Sequence, residues 1–174
     1  MATTVLAHLA ARDRALFHRI ATGPSRHLLV RVWWTLLTHG GGVITSIAAA
    51  TLPMLLGGAI QHAAAHALLA LVASHLVVQA IKRTVGRPRP SRHAIGAPST
   101  WALEPDRFSF PSGHSAAAMS VALVYASAFP MIAPVLLTTA LLVGFSRVRL
   151  GVHYPGDVLA GQLIAATTAL VVLR

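Results

Sequence analysis

Three stretches of this chain carry side chains able to act on an anion. Residues 82–90 read KRTVGRPRP, placing Lys82, Arg83, Arg87 and Arg89 close together. Arg92, Arg107, Arg147 and Arg149 follow, against three acids in that part of the chain: Glu104, Asp106 and Asp157. A guanidinium fork donates two parallel hydrogen bonds to phosphate oxygens, so clustered Arg and Lys suit a phosphate. The plainer alternative is that basic loops only set membrane topology.

The second stretch is Pro111-Ser112-Gly113-His114, opening an apolar run. Ser112 suits a helix N-cap, and Gly113 lets a ligand approach the backbone. Together they describe an anion site at a helix N-terminus, or simple capping of a membrane helix. The third stretch carries His153 and Asp157, four residues apart around Pro155 and Gly156 at an expected helix start. That spacing stacks both side chains on one helical face. Asp157 can then accept from one imidazole nitrogen, fix the tautomer, and leave the other free to attack or to take a proton. A purely structural hydrogen bond is the alternative, but an ionisable pair in a membrane segment favours function.

The remaining histidines read more simply. His62 and His66 sit at a turn without a carboxylate or third ligand, and His75 is expected to hydrogen-bond within the bundle. No Asp/Glu cluster suits Mg²⁺, and no metal site is expected. A Ser112–His114–Asp157 hydrolase triad is conceivable, but the nucleophile-elbow pattern around Ser112 is missing.

These groups are carried by a very apolar chain. Of 174 residues, 55% are hydrophobic and 10% charged, against about 25% charged in an ordinary soluble domain. So few charges cannot cover a water-soluble surface, and such hydrophobicity excludes intrinsic disorder. There is no cysteine, which excludes disulfides, thiolate metal sites and a Cys nucleophile. The formal net charge of +10 lies between apolar runs. That suits an anionic membrane or substrate and not nucleic acid.

The runs 43–60, 63–81, 115–130, 131–146 and 158–173 are free of Asp, Glu, Lys and Arg. Segments of this kind, about 18–20 residues long, match the thickness of a bilayer core. The expected fold is therefore all-α: a polytopic integral-membrane helical bundle of about five or six transmembrane helices. Residues 1–24 are expected to form an amphipathic surface helix ending at Gly23-Pro24, and 25–174 one membrane-embedded domain. Residues 25–39 read either as a short span with Trp33-Trp34 at an interface or as a second surface helix, and Gly40-Gly41-Gly42 as a turn. Residues 82–111 read as a loop.

Counting crossings from 63–81 brings 82–90, 111–114 and 146–157 to one face of the membrane, termed the near face. Should 25–39 span, the N-terminal Arg12, Arg14, Arg19 and Arg26 lie on the opposite face. The positive-inside rule then puts the near face outside the cell membrane.

The three stretches together resemble the type 2 phosphatidic acid phosphatase superfamily, which also includes vanadium-dependent haloperoxidases. Its signature is Lys-x6-Arg-Pro, Pro-Ser-Gly-His and Ser-Arg-x5-His-x3-Asp. Here the signature positions are Lys82, Arg89-Pro90, Pro111 to His114, Ser146-Arg147, His153 and Asp157, complete and in order. The resemblance implies that His153 is the nucleophile, taking the phosphoryl group as a phosphohistidine, and that Asp157 orients it. It implies that His114 is the general acid, and that Lys82, Arg89, Ser112, Gly113 and Arg147 bind the phosphate. It further implies a metal-independent reaction without a cofactor.

The expected function is hydrolysis of a terminal phosphate from a lipid phosphate or polyprenyl (pyro)phosphate, with membrane lipids as surroundings. The rivals are a phosphotransferase using another acceptor and a non-catalytic lipid-phosphate binding or transport protein. The choice of lipid and the oligomeric state stay open.

Overall fold

A computed structural model describes residues 2–21, 28–90 and 107–174. The expectations for Gly23-Pro24, the division between 24 and 25, and Arg26, Arg92, Glu104 and Asp106 lie outside the described residues. The described residues form seven α-helices: α1 (Ala2–Ile20), α2 (Leu28–His39), α3 (Val43–Thr51), α4 (Gly58–Val85), α5 (Gly113–Ala128), α6 (Ala133–Arg149) and α7 (Pro155–Val172). The one β-type pairing among them is an isolated bridge between Pro88 and Phe108.

Composition decides where the helices break. The triple glycine 40–42 separates α2 from α3, and the pair bends by 49°. Pro53 turns the end of α3 into a 3₁₀ helix, Leu52–Leu56. Gly57 and Gly58, at φ +73° and +60°, then reverse the chain, a backbone region that glycine enters without strain. The expected run 43–60 is thus split by its own Pro and Gly residues, and α4 takes its last residues.

α5 is the central helix, packed against α4, α6 and α7. At the far end, Ala50, Ala63, Ala64, Ala67, Ala70 and Ala169 pack around Val124 and Tyr125. Small side chains let helix backbones approach closely where lipid supplies no hydrophobic drive. Buried polar groups bond across helices: Ser120 Oγ donates to Ser74 Oγ (2.9 Å), and Tyr125 Oη donates to the Ala49 carbonyl (2.8 Å). Leu69, Leu76, Leu141, Leu163 and Leu170 point outward, as expected of a surface solvated by lipid. His75 also faces outward and pairs with Gln79 on its own helix (3.4 Å).

Among the described residues, three helices are long and apolar enough to cross a membrane, or four if the bent pair is one span. That count leaves out the shorter α5 and does not confirm the five or six expected. α5 has 16 residues, a short span because its N-terminus starts inside the bundle at the fully buried Ser112.

Within the described residues 28–39, the direction of α2 bears on the two readings of 25–39. Trp34 packs on Phe145 and under Arg149, while a Cβ on Gly40 or Gly41 would touch Val143. α2 therefore descends from the near end, antiparallel to α6, and α3 continues to the far end. With α3 it forms the bent pair that passes together as one candidate span. As a result α1 lies on the near face. Phe17, 1% exposed, is buried with Val148 and Val158, and Asp13 accepts from the Gly156 amide (2.8 Å). Arg12, Arg14 and Arg19 thus lie on the same helix as Asp13, at the end of the bundle that carries the site.

Candidate active site

Three chain reversals at the near end build the site. At the first, α4 carries the buried Lys82 in its last turn, and Gly86, at φ +60°, donates its amide to the Lys82 carbonyl (3.1 Å). This left-handed stop is a common helix C-cap. Residues 87–90 then run extended beside 108–109, held by Ser109 N donating to Arg87 O (2.8 Å).

The second reversal opens α5. Ser112 is its N-cap, and its Oγ accepts from Ser115 N (3.4 Å) and Ser115 Oγ (2.8 Å). Gly113 and His114 form the first turn. Ser112 N donates to Asp157 O (2.9 Å), which ties this helix start to that of α7.

The third reversal joins α6 to α7. Gly151, at φ +71°, turns the chain, and the amides of Val152 and His153 both donate to Arg147 O (3.1 and 3.3 Å). Arg147 is 1% exposed, and its Nη1 donates to Thr38 Oγ1 on α2.

The expectation that His153 and Asp157 stack on one helical face is not met, because α7 starts at Pro155 and His153 precedes its N-cap Tyr154. The pair meets through the cap: Asp157 folds back so that Oδ2 accepts from Tyr154 N (2.8 Å). His153 Nδ1 then lies 3.6 Å from Oδ2, longer than a hydrogen bond. Such contacts are often long before substrate binds. On the other side of the ring, Nε2 lies 3.1 Å from Arg89 Nη1, which also donates to Val152 O (3.0 Å). An Arg only donates, so Nε2 is the acceptor and the ring proton belongs on Nδ1, facing Asp157.

Asp157 Oδ1 accepts from Arg87 Nη1 (2.7 Å), and Arg87 Nη2 donates to Asp13 Oδ2 (2.8 Å). Four cations, Lys82, Arg87, Arg89 and Arg147, thus gather at this end with two described carboxylates, both bound to Arg87. Among the described residues no three His, Asp or Glu side chains group as a metal site.

Direct hydrogen bonds or close contacts link His153, Asp157, Arg89, Arg147 and Ser112. Lys82, Gly113 and His114 share the same end of the bundle on the last turn of α4 and the first of α5. Three side chains escaped the sequence reading. Thr38 and Ser115 gave no signal, since nothing local marks them. Asp13 did give one, as the only acid before residue 104.

Two glycines separate packing from binding. A Cβ on Gly161 would overlap Ser112 O, whereas one on Gly113 meets nothing nearer than Val78 Cγ1 at 3.9 Å. Gly161→Ala should therefore cost about 1–3 kcal/mol of stability and lower activity with it. Gly113→Ala should keep its unfolding midpoint in detergent yet raise KM, because a methyl group then crowds the approach to the backbone. Equal loss of stability in the two variants would contradict this.

Fold and site define an integral-membrane helical protein with cations gathered around a His–Asp pair. The model of the PAP2 superfamily matches residues 63–174, and the chain belongs to that superfamily. The match spans α4 to α7 and leaves α1 to α3 outside.

The chain is 36% identical over 99 residues to a decaprenylphosphoryl-5-phosphoribose phosphatase of Mycobacterium tuberculosis, covering 57% of this chain and 53% of that one. It is 36% identical over 109 residues to a lipid A 1-phosphatase of Rhizobium johnstonii, covering 59% and 43%. It thus spans about half the length of the curated relatives it matches. Among solved structures, Aquifex aeolicus LpxE superposes with a TM-score of 0.74 at 28% identity, covering 91% of this chain and 93% of that one. A PAP2-type phosphatidylglycerolphosphate phosphatase from Bacillus subtilis shares the fold, with a TM-score of 0.71 at 23% identity and coverage of 95% and 85%.

Proposed function

We propose that this protein hydrolyses the terminal phosphate of a lipid phosphate or polyprenyl (pyro)phosphate through a phosphohistidine on His153. The observation that carries this is the setting of the imidazole, with Nδ1 toward Asp157 and Nε2 toward Arg89. The lone pair of Nε2 is thereby aimed at the place where the cations hold a phosphate.

In the first step Nε2 forms a bond to phosphorus and the bond from phosphorus to the lipid oxygen breaks. That oxygen leaves with the electron pair and takes a proton from His114. In the second step His114 accepts a proton from water, the water oxygen bonds to phosphorus, and the phosphorus–nitrogen bond breaks. Phosphoryl transfer spreads charge over the equatorial oxygens. Lys82, Arg89, Arg147 and the α5 N-terminus at Ser112 and Gly113 supply the matching positive field. Asp157 stabilises the imidazolium as it forms. The names of the two curated relatives, both lipid phosphatases, support this class of substrate.

In this proposal no step uses a metal, because the cations and the α5 N-terminus supply the positive field. Release of phosphate from a panel of lipid phosphates in detergent should therefore survive EDTA. Activity abolished by chelation and restored by Mg²⁺ would overturn the reading, as would a panel without any turnover.

The site belongs on the cytoplasmic side in this proposal. Outside the pocket, Arg12, Arg14, Arg19, Arg83, Arg107 and Arg149 are near-face cations, whereas Arg174 follows the far end of α7. The positive-inside rule puts the richer face in the cytoplasm. The chain has no cysteine, so single reporters are clean. His62→Cys should react with an impermeant maleimide in right-side-out vesicles, and Arg107→Cys only after lysis. The reverse pattern would put the site outside.

A further inference from the structure

The side chain of Asp13 reaches from α1 to two atoms, and both bear on Asp157. Its Oδ2 accepts from Arg87 Nη2 (2.8 Å), and the other nitrogen of that fork holds Asp157 Oδ1 (2.7 Å). Its Oδ1 accepts from Gly156 N (2.8 Å), the residue before Asp157 in the first turn of α7. The guanidinium of Arg87 lies over the ring of Tyr154, 4.0 Å from its centroid, and Tyr154 N holds Asp157 Oδ2 (2.8 Å).

A Cβ on Gly156 would lie 2.9 Å from Asp13 Oδ2, so glycine at 156 is what admits the carboxylate. One turn beyond Asp13, Phe17 meets Tyr154 edge to face at 5.2 Å, and Arg149 Nη1 donates to Ile20 O (3.2 Å). α1 is thus docked at three places along its second half.

We propose that Asp13 is a positioning residue of the active site, acting through Arg87 on Asp157 and so on His153. The inference rests on the phosphohistidine reading above. Arg87 alone would give Asp157 a whole counter-charge and compete with the imidazolium for its carboxylate. With Asp13 on the second nitrogen, that positive charge is shared between two carboxylates. Asp157 then keeps negative charge for His153 at the moment the imidazole becomes cationic. The Gly156 contact fixes the turn that carries Asp157, so orientation and charge are set from one side chain. The helix that the sequence assigns to the membrane surface thereby becomes part of the catalytic unit, although it lies outside the region matched by the family.

The test is a cycle of single-turnover rates in the full-length protein, with Asp13→Asn made alone and in an Asp157→Asn background. Asn keeps an acceptor for Gly156 N and loses the charge. Alone, Asp13→Asn should lower the chemical rate about tenfold, within what small misplacement of a reacting group costs, with KM changed less than about twofold. In the Asp157→Asn background it should cost nothing further. Arg87→Lys is the second variant, since an ammonium lacks the fork that reaches both carboxylates. It should show the same loss of rate even if Asp13→Asn folds poorly. An unchanged rate in Asp13→Asn or in Arg87→Lys would overturn the proposal. So would an equal tenfold loss in both backgrounds, which is the mark of a merely structural contact. Asp157→Asn turning over at the parent rate would instead remove the phosphohistidine reading, and the relay with it.

Discussion

Replacing His153 with alanine should lower phosphate release by a factor on the order of 10⁴–10⁶ with every substrate, the scale seen when a covalent nucleophile is deleted. The loss should not depend on the leaving group, because the bond that cannot form is the one to phosphorus. KM should change little, since Lys82, Arg89, Arg147 and the α5 N-terminus all remain. Asp157→Asn should slow the reaction by a factor on the order of 10⁴, as when a His loses its orienting carboxylate in an acyl-transfer triad. The neutral amide can still accept from Tyr154 N, but it no longer stabilises the imidazolium. Single-turnover release from each purified variant measures both effects. A His153→Ala enzyme retaining a tenth of parent activity would place the nucleophile elsewhere.

His114→Ala should behave differently, and the contrast separates the two histidines. His114 stands on the first turn of α5, beside the N-cap Ser112. Its backbone is held from below, as a Cβ on Gly41 would meet the His114 carbonyl oxygen at 2.6 Å. If its imidazole protonates the leaving oxygen, the loss should be about 10²–10⁴-fold on a lipid whose alkoxide leaves poorly. On an aryl phosphate or a pyrophosphate the loss should be much smaller, because those groups depart with little protonation. Rates for the two substrate types, each divided by the parent rate, give the comparison. Equal losses on both would show that His114 is not the general acid.

The parts legible in the sequence were those encoded locally. Apolar runs marked the membrane bundle, and Gly86, Ser112 and Gly151 punctuate the helices where glycine and serine are expected to. The three motifs could be read as one site because span counting already brought 82–90, 111–114 and 146–157 to one end. Tertiary placement was not legible. Residues 25–39 are too short for a complete span and too apolar for a free surface helix, and only packing against Phe145 and Arg149 shows that α2 enters the bundle from the near side. The reversed placement of α1 follows from that single element.

The His153–Asp157 geometry differs from the spacing's expectation for a local reason. A spacing of four suggests a helical face, but Pro155 begins the helix, and an N-cap turn brings the same two residues together. Thr38 and Asp13 reach the site across more than 70 residues of sequence from Arg147 and Arg87, and periodicity cannot report contacts of that kind.

The central claim is a covalent bond between phosphorus and His153. It is tested most directly by mixing the purified enzyme with excess radiolabelled lipid phosphate, quenching in alkali within the first turnover, and mapping the label by mass spectrometry. The account predicts a base-stable, acid-labile phosphoryl group on the peptide carrying His153, absent from His153→Ala and accumulating in His114→Ala when the substrate has a good leaving group. Turnover without any labelled intermediate, or a label on another residue, would contradict it.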